Sequence, residues 1–202
     1  MLETVIVLVV VGILTAMAIP RLTQDRLQES ADQILSHIRY TQHLAMMDDR
    51  FDPLTQNWYQ SRWMISFRQC GGSWYYVIGR DEDLGGAIGK SESARNPADG
   101  KYLFMNNITC TLANDESSEI LIGDRFGIDT ISFSPGCGGN QYVAFDHLGR
   151  PYATTLGTYS IPNMYDIATN DCQIVFSGDS GSFTITVTAQ SGYAYISSMS
   201  GN

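Results

Sequence analysis

Residues 1–22, MLETVIVLVVVGILTAMAIPRL, set a single carboxylate, Glu3, directly ahead of a run over 5–19 that carries no charge and only Gly12 and Thr15 as members that are not hydrophobic. An ionised side chain held in hydrocarbon costs at least ~2.5 kcal/mol near a helix centre, so it is normally paired or has a task. As a helix rising 1.5 Å per residue, 4–20 would span about 25 Å, slightly short of a ~30 Å hydrocarbon core. The expectation is a thin membrane span.

The run does not close like a cleaved secretory signal, which starts basic, has a shorter apolar core and ends on small residues. Beyond Pro20 the chain continues as RLTQDRLQESADQILSHIRYTQHLAMMDDRF (21–51). There Leu27, Ala31, Ile34, Leu35, Ile38 and Ala45 recur at spacings of three, four and seven, one stripe of an amphipathic helix. Proline is tolerated as a kink in membrane helices when the freed carbonyl finds another partner. The reading is one kinked rod of roughly 70 Å from Leu2 to about Asp48, greasy all round in its first half and striped in its second. DDRFDPLTQN (48–57) then ends it.

From Trp58 onward the period changes to two. RWMISFR (62–68), SWYYVIG (73–79), EILIG (119–123), DTISFS (129–134), QYVAFD (141–146), CQIVFS (172–177), SFTITVT (182–188) and YAYIS (193–197) are short strand candidates between Gly, Asn, Asp and Ser clusters. An antiparallel sheet is the natural product. Segment 79–101, GRDEDLGGAIGKSESARNPADGK, is poor in apolar residues and reads as a long exposed loop, the expected variable contact surface. The expected fold is therefore α+β: a long kinked N-terminal helix, membrane half plus amphipathic half, packed on an antiparallel β head. Its segments are 1–22 (transmembrane and assembly), 23–50 (amphipathic continuation) and 51–202 (head).

Twelve basic residues against 21 acidic give a net charge of −9, which argues against general affinity for nucleic acid or anionic lipid. The four cysteines, Cys70, Cys110, Cys137 and Cys172, are widely spaced, with no CxxC pair of the zinc or redox type. Behind a membrane segment an even count reads as two disulfides in an oxidising compartment. Three pairings are open, and pairing in sequence order is the one favoured.

Glu3 is followed nine positions later by Gly12 and seventeen later by Pro20, with Ala16 and Ala18 between them and AIP closing the run. In this the chain resembles type IV pilins and the pseudopilins of type II secretion. SADQILSHIRYTQHLAM (30–46), WMISF (63–67), ISFSPGCGG (131–139) and FTITVTAQSGYAYIS (183–197) look most like H-type minor pseudopilins and minor pilins. The resemblance implies a structural subunit of a pilus or secretion pseudopilus, without enzymatic activity or cofactor. Implied partners are sister pilins, a prepilin peptidase, an inner-membrane platform protein and a cytoplasmic ATPase. The anchor would cross the inner membrane once, beneath a periplasmic head, before entering the filament. It also implies a leader and a methylated first residue upstream, so the amine that Glu3 is expected to meet does not belong to Met1.

The resemblance implies that Glu3 makes an intersubunit charge contact. In a bundle of staggered parallel helices its carboxylate meets a neighbour's terminal ammonium, and such charges couple strongly where the effective dielectric is low. Gly12 and Pro20 bracket a region of weak helical propensity, where the resemblance implies partial melting in the filament.

Other motifs are weaker. Gly178-Asp179-Ser180-Gly181 resembles a serine-protease nucleophile loop, but it also supplies what a hairpin turn demands. Acidic groups at Asp81–Asp83 and Asp115–Glu119 lack the spacing of an EF-hand, and solvated loop acids are the commoner explanation. His37 and His43 are too far apart for an i, i+4 metal pair and read as surface positions. No metal site is expected. Two rival functions remain: a DNA-uptake or adhesive minor pilin, if folding gathers scattered arginines with tyrosines such as Tyr193 and Tyr195, and a signal-anchored periplasmic enzyme.

Overall fold

The computed structural model describes residues 2–48, 60–83, 87–137, 141–152 and 167–201; in the first helix this covers the side chains of 5–13 and 26–48 and the backbone alone elsewhere. The element order is α1 (Leu2–Met47), β1 (Trp63–Cys70), β2 (Ser73–Gly79), α2 (Ile122–Phe126), β3 (Ile128–Phe133), β4 (Tyr142–Phe145), β5 (Pro151–Tyr152), β6 (Cys172–Gly178), β7 (Gly181–Val187) and β8 (Ala194–Gly201). Most of the turn expected at 48–57, with the boundary at 51, lies outside the described residues.

The apolar stripe of α1 becomes its packing face. Leu27, Ala31, Ile34, Leu35, Ile38 and Ala45 are all buried, because their three- and four-residue spacing stacks them on one side of the helix. That side lies against β1 and β4 of one sheet and β7 and β8 of another. The head thus differs from the expected single sheet. Two four-stranded antiparallel sheets form, in the orders β2-β1-β4-β5 and β3-β6-β7-β8. Aromatic side chains join them: Phe67 of β1 meets Phe133 of β3 and Phe176 of β6 at ring-centroid distances of 5.9 and 5.4 Å, and Phe176 stacks on Phe183 of β7 at 4.8 Å. Such pairs add about 0.5–1.5 kcal/mol each beyond their area burial.

Two disulfides cross-link the head, and Cys70, Cys137 and Cys172 lie buried in its core. Cys70 at the end of β1 bonds Cys110, and Cys137 bonds Cys172 at the start of β6. Among the described residues no cysteine is free. Gly178 and Gly181 pair across the β6–β7 hairpin, leaving Asp179 and Ser180 as its two-residue turn. Gly181 takes a φ of 128° there, a backbone state that side-chain-bearing residues rarely adopt. The protease-like GDSG sequence is thus a hairpin turn.

Several expectations are corrected. The membrane half of the expected kinked rod is not supported, and α1, Leu2–Met47, is helical without interruption across Pro20. Loss of one N–H donor leaves the ladder on either side of the proline in place. Among the described residues no helix is long and apolar enough to cross a membrane. The transmembrane segment, and with it a single-pass inner-membrane anchor beneath a periplasmic head, is therefore unsupported.

EILIG (119–123) is not a strand but a 3-10 turn (Ser118–Ile120) leading into α2, with Ile120 and Ile122 buried. An apolar run this short cannot separate strand from helix by periodicity. Nor are the described residues of 79–101 an exposed loop throughout, although 97–101 are exposed. Arg80, Asp81, Ile88, Ala94 and Asn96 are buried within it, and bridges pair Gly79 with Ser93 and Arg95 with Tyr102. Ala94 N–H donates to the Ile78 carbonyl at 2.8 Å, and Leu103 N–H to that of Ala94 at 2.8 Å. Backbone pairing, more than side-chain burial, draws this polar segment onto the edge of β2, beyond the reach of a composition argument.

Candidate functional site

The feature that demands a partner is the first part of α1. Every described side chain over 5–13 is exposed, and its large hydrophobics range from 49% exposed at Val10 to 72% at Leu8. Consecutive residues point around the whole circumference of a helix, so this segment is apolar on all sides rather than along a stripe. A helix of that kind is stable in water only when something else surrounds it. Gly12 lies in this exposed segment with nothing within 4 Å of where a Cβ would stand, so a neighbouring helix has a flat place to approach. Glu3 and Pro20 lie in the helical backbone, and their side chains are outside the described residues.

The size of the exposed surface decides what could cover it. Eight large aliphatic side chains, Val5 to Val11 and Ile13, each about half to three quarters exposed, offer on the order of 10 kcal/mol of gross burial at ~1.5–3 kcal/mol per fully buried residue. Association costs an estimated ~4–15 kcal/mol in lost freedom. One pairwise contact covering one side would therefore be marginal. Several neighbours enclosing the helix would not.

Farther along, α1 is clasped to the head by polar contacts. The Asp48 carboxylate, just past the helix, accepts from Trp63 Nε1 at 2.8 Å and Arg80 Nη1 at 2.7 Å. Arg80 is itself buried and also pairs with Glu82, with the Trp63 ring 5.6 Å from its guanidinium. Midway, His37 is buried, not a surface position as expected, while His43 is exposed. The sequence signal for this was present: His37 lies one turn from Ile34 and Thr41, next to Ile38, at the edge of the stripe. Gln42 Nε2 donates to the carbonyls of Gly149 at 2.8 Å and Ser191 at 3.2 Å.

Ser180 is in its hairpin turn, and His147 is exposed on the turn between β4 and β5. Tyr193 and Tyr195 do stack, at 5.7 Å, and Arg39 lies 5.8 Å over Tyr193. Its guanidinium, however, donates through Nε and Nη2 to the Ala194 carbonyl at 3.1 and 2.8 Å. One committed arginine does not make a basic groove. Of the acidic groups, Asp115 and Glu116 both pair with Lys90 Nζ, at 2.6 and 3.0 Å. Asp81, Asp83 and Glu92 bring carboxylate oxygens within 4.8 Å of one another. The Glu92 oxygens accept from the backbone N–H of Glu82 (2.7 Å), Asp83 (3.2 Å) and Gly89 (2.6 Å), so this carboxylate staples the loop.

Comparison with protein-family models, curated proteins and solved structures finds no match.

Proposed function

We propose that this chain is a structural, minor subunit of a filament of the type IV pilus or type II secretion pseudopilus kind, assembling through the apolar end of α1. The observation that carries the reading is the exposed, all-round apolar segment 5–13 projecting from a helix whose other end is packed and clasped on the head. The spacing of Glu3, Gly12 and Pro20 supports it, because a carboxylate at the start of such a helix sets register in a bundle of like helices. Sister subunits are the covering partners, together with the platform, ATPase and processing peptidase that filaments of this kind require. The subunit performs no catalysis, and the head positions it in the filament.

The test is Glu3→Ala in the full chain, scored by incorporation into sheared filaments. Removal of the carboxylate leaves a buried, unpaired ammonium on the neighbour, at ~3–5 kcal/mol per contact. The variant should accumulate with a folded head and be lost from filaments. Incorporation at the wild-type level would sink the proposal.

A further inference from the structure

Among the described residues, His37 is the only buried ionisable side chain on α1. It sits where the helix meets the head. Its Nδ1 lies 2.5 Å from the Tyr76 hydroxyl of β2, and its Nε2 lies 3.8 Å from Glu119 Oε2. Gln33 Nε2, one turn back, donates to the Tyr76 oxygen at 3.2 Å and to the Glu119 carbonyl at 2.6 Å. Asn96 Nδ2 donates to Glu119 Oε2 at 2.8 Å and to Ser117 Oγ at 3.0 Å, and Ser117 Oγ donates to Asp99 at 2.7 Å.

Neutral His37 satisfies this arrangement: Tyr76 O–H donates to Nδ1, and Nε2–H faces the Glu119 carboxylate. A proton added at Nδ1 turns that nitrogen into a donor. The tyrosine hydroxyl must then swing to the Glu119 carbonyl, 3.3 Å away, which already accepts from Gln33. The ring must also hold a charge out of water.

We propose that the His37–Tyr76–Glu119 cluster is an acid-operated latch, closed when His37 is neutral and loosening α1 from the head when it is protonated. The groups facing it are Tyr76 from β2, Glu119 from the turn before α2 and Asp99 from the preceding loop, while Arg125 of α2 acts on Tyr76. Burial pushes His37 below its ordinary 6.5, and the attraction of Glu119 and Asp99 only partly offsets it. Burial pushes the Tyr76 hydroxyl up, so it stays protonated throughout. A base held low in the fold binds its proton more readily in the unfolded chain. The stability it contributes is complete above pH 6.5 and is lost as pH falls from there toward the folded value, at up to about tenfold in the folding constant per pH unit.

The experiment measures urea unfolding of the full chain, its apolar helix end covered by a non-ionic detergent, from pH 8 to 5 for the wild type and His37→Gln. The wild type should lose stability faster below pH 6.5, the two curves differing by up to tenfold per pH unit. Parallel curves would overturn the latch. Should His37→Gln not fold, the ring of His37 in the wild type is titrated by NMR, with hydrogen exchange of 27–45 followed in parallel. A midpoint below 6.5 with exchange rising across that stretch supports the latch, and a midpoint at or above 6.5, or unchanged exchange, refutes it.

Discussion

Leu8→Asp separates a surface that serves assembly from one that serves folding. Leu8 is 72% exposed, so little of its burial belongs to the isolated subunit. Truncating the remaining quarter or so removes about 0.5 kcal/mol at ~1.5–3 kcal/mol per fully buried leucine. Helix propensity adds a further ~0.5 kcal/mol or so. Both losses fall on a stretch of α1 ahead of the packed stripe that begins at Leu27, so the head should hardly register them.

Inside a bundle the same change removes the rest of that burial and sets an unpaired carboxylate among apolar neighbours, at ~3–5 kcal/mol. The sum, roughly 4–8 kcal/mol per subunit, exceeds what the exposed segment has to spare after the cost of association. Urea unfolding of the head should shift by less than about 1 kcal/mol, while co-sedimentation with filaments, or cysteine crosslinking between subunits, should fall at least a hundredfold. Assembly at the wild-type level would refute the reasoning. So would a collapse of head stability, which would make 5–13 part of the folding core.

Two further outcomes follow from the head. Replacing either cystine by a serine pair, over sequence separations of 40 for Cys70–Cys110 and 35 for Cys137–Cys172, should lower unfolding stability by roughly 4 kcal/mol on the chain-entropy estimate. Denaturant titration of each variant checks this, and a loss below ~1 kcal/mol would mean that the closed segments stay close without the bond. Asp48→Ala leaves the buried Arg80 with Glu82, whose side chain is 47% exposed. The loss should fall near or below the lower end of the ~3–5 kcal/mol typical of a broken buried pair, and hydrogen exchange should rise in the last turns of α1. Unchanged exchange there would show that Asp48 does not hold the helix end.

Much of the local structure was legible because it is governed by near neighbours. Segments 62–68, 73–79, 129–134, 141–146, 172–177, 182–188 and 193–197 each overlap a strand, since alternation with a half-buried face needs no knowledge of the partner strand. EILIG (119–123) was misread for want of length. The burial within 79–101 could not be read because it depends on backbone pairing with Ile78 of β2 and with Leu103. The apolar character of 5–13 was plain, but what surrounds it is a property of an assembly.

The sequence by itself determined which face of α1 packs and the approximate place of most strands, because side-chain spacing on one element is an intrinsic quantity with a period of 3.6 or 2. It also narrowed the cystines to three pairings. Only the tertiary structure decided that the strands divide into two sheets joined through Phe67, Phe133 and Phe176, that α1 lies across both, and that Arg80 is drawn out of water. Those outcomes depend on which distant groups come within a few ångströms, and a polar side chain is buried only where such partners replace its water.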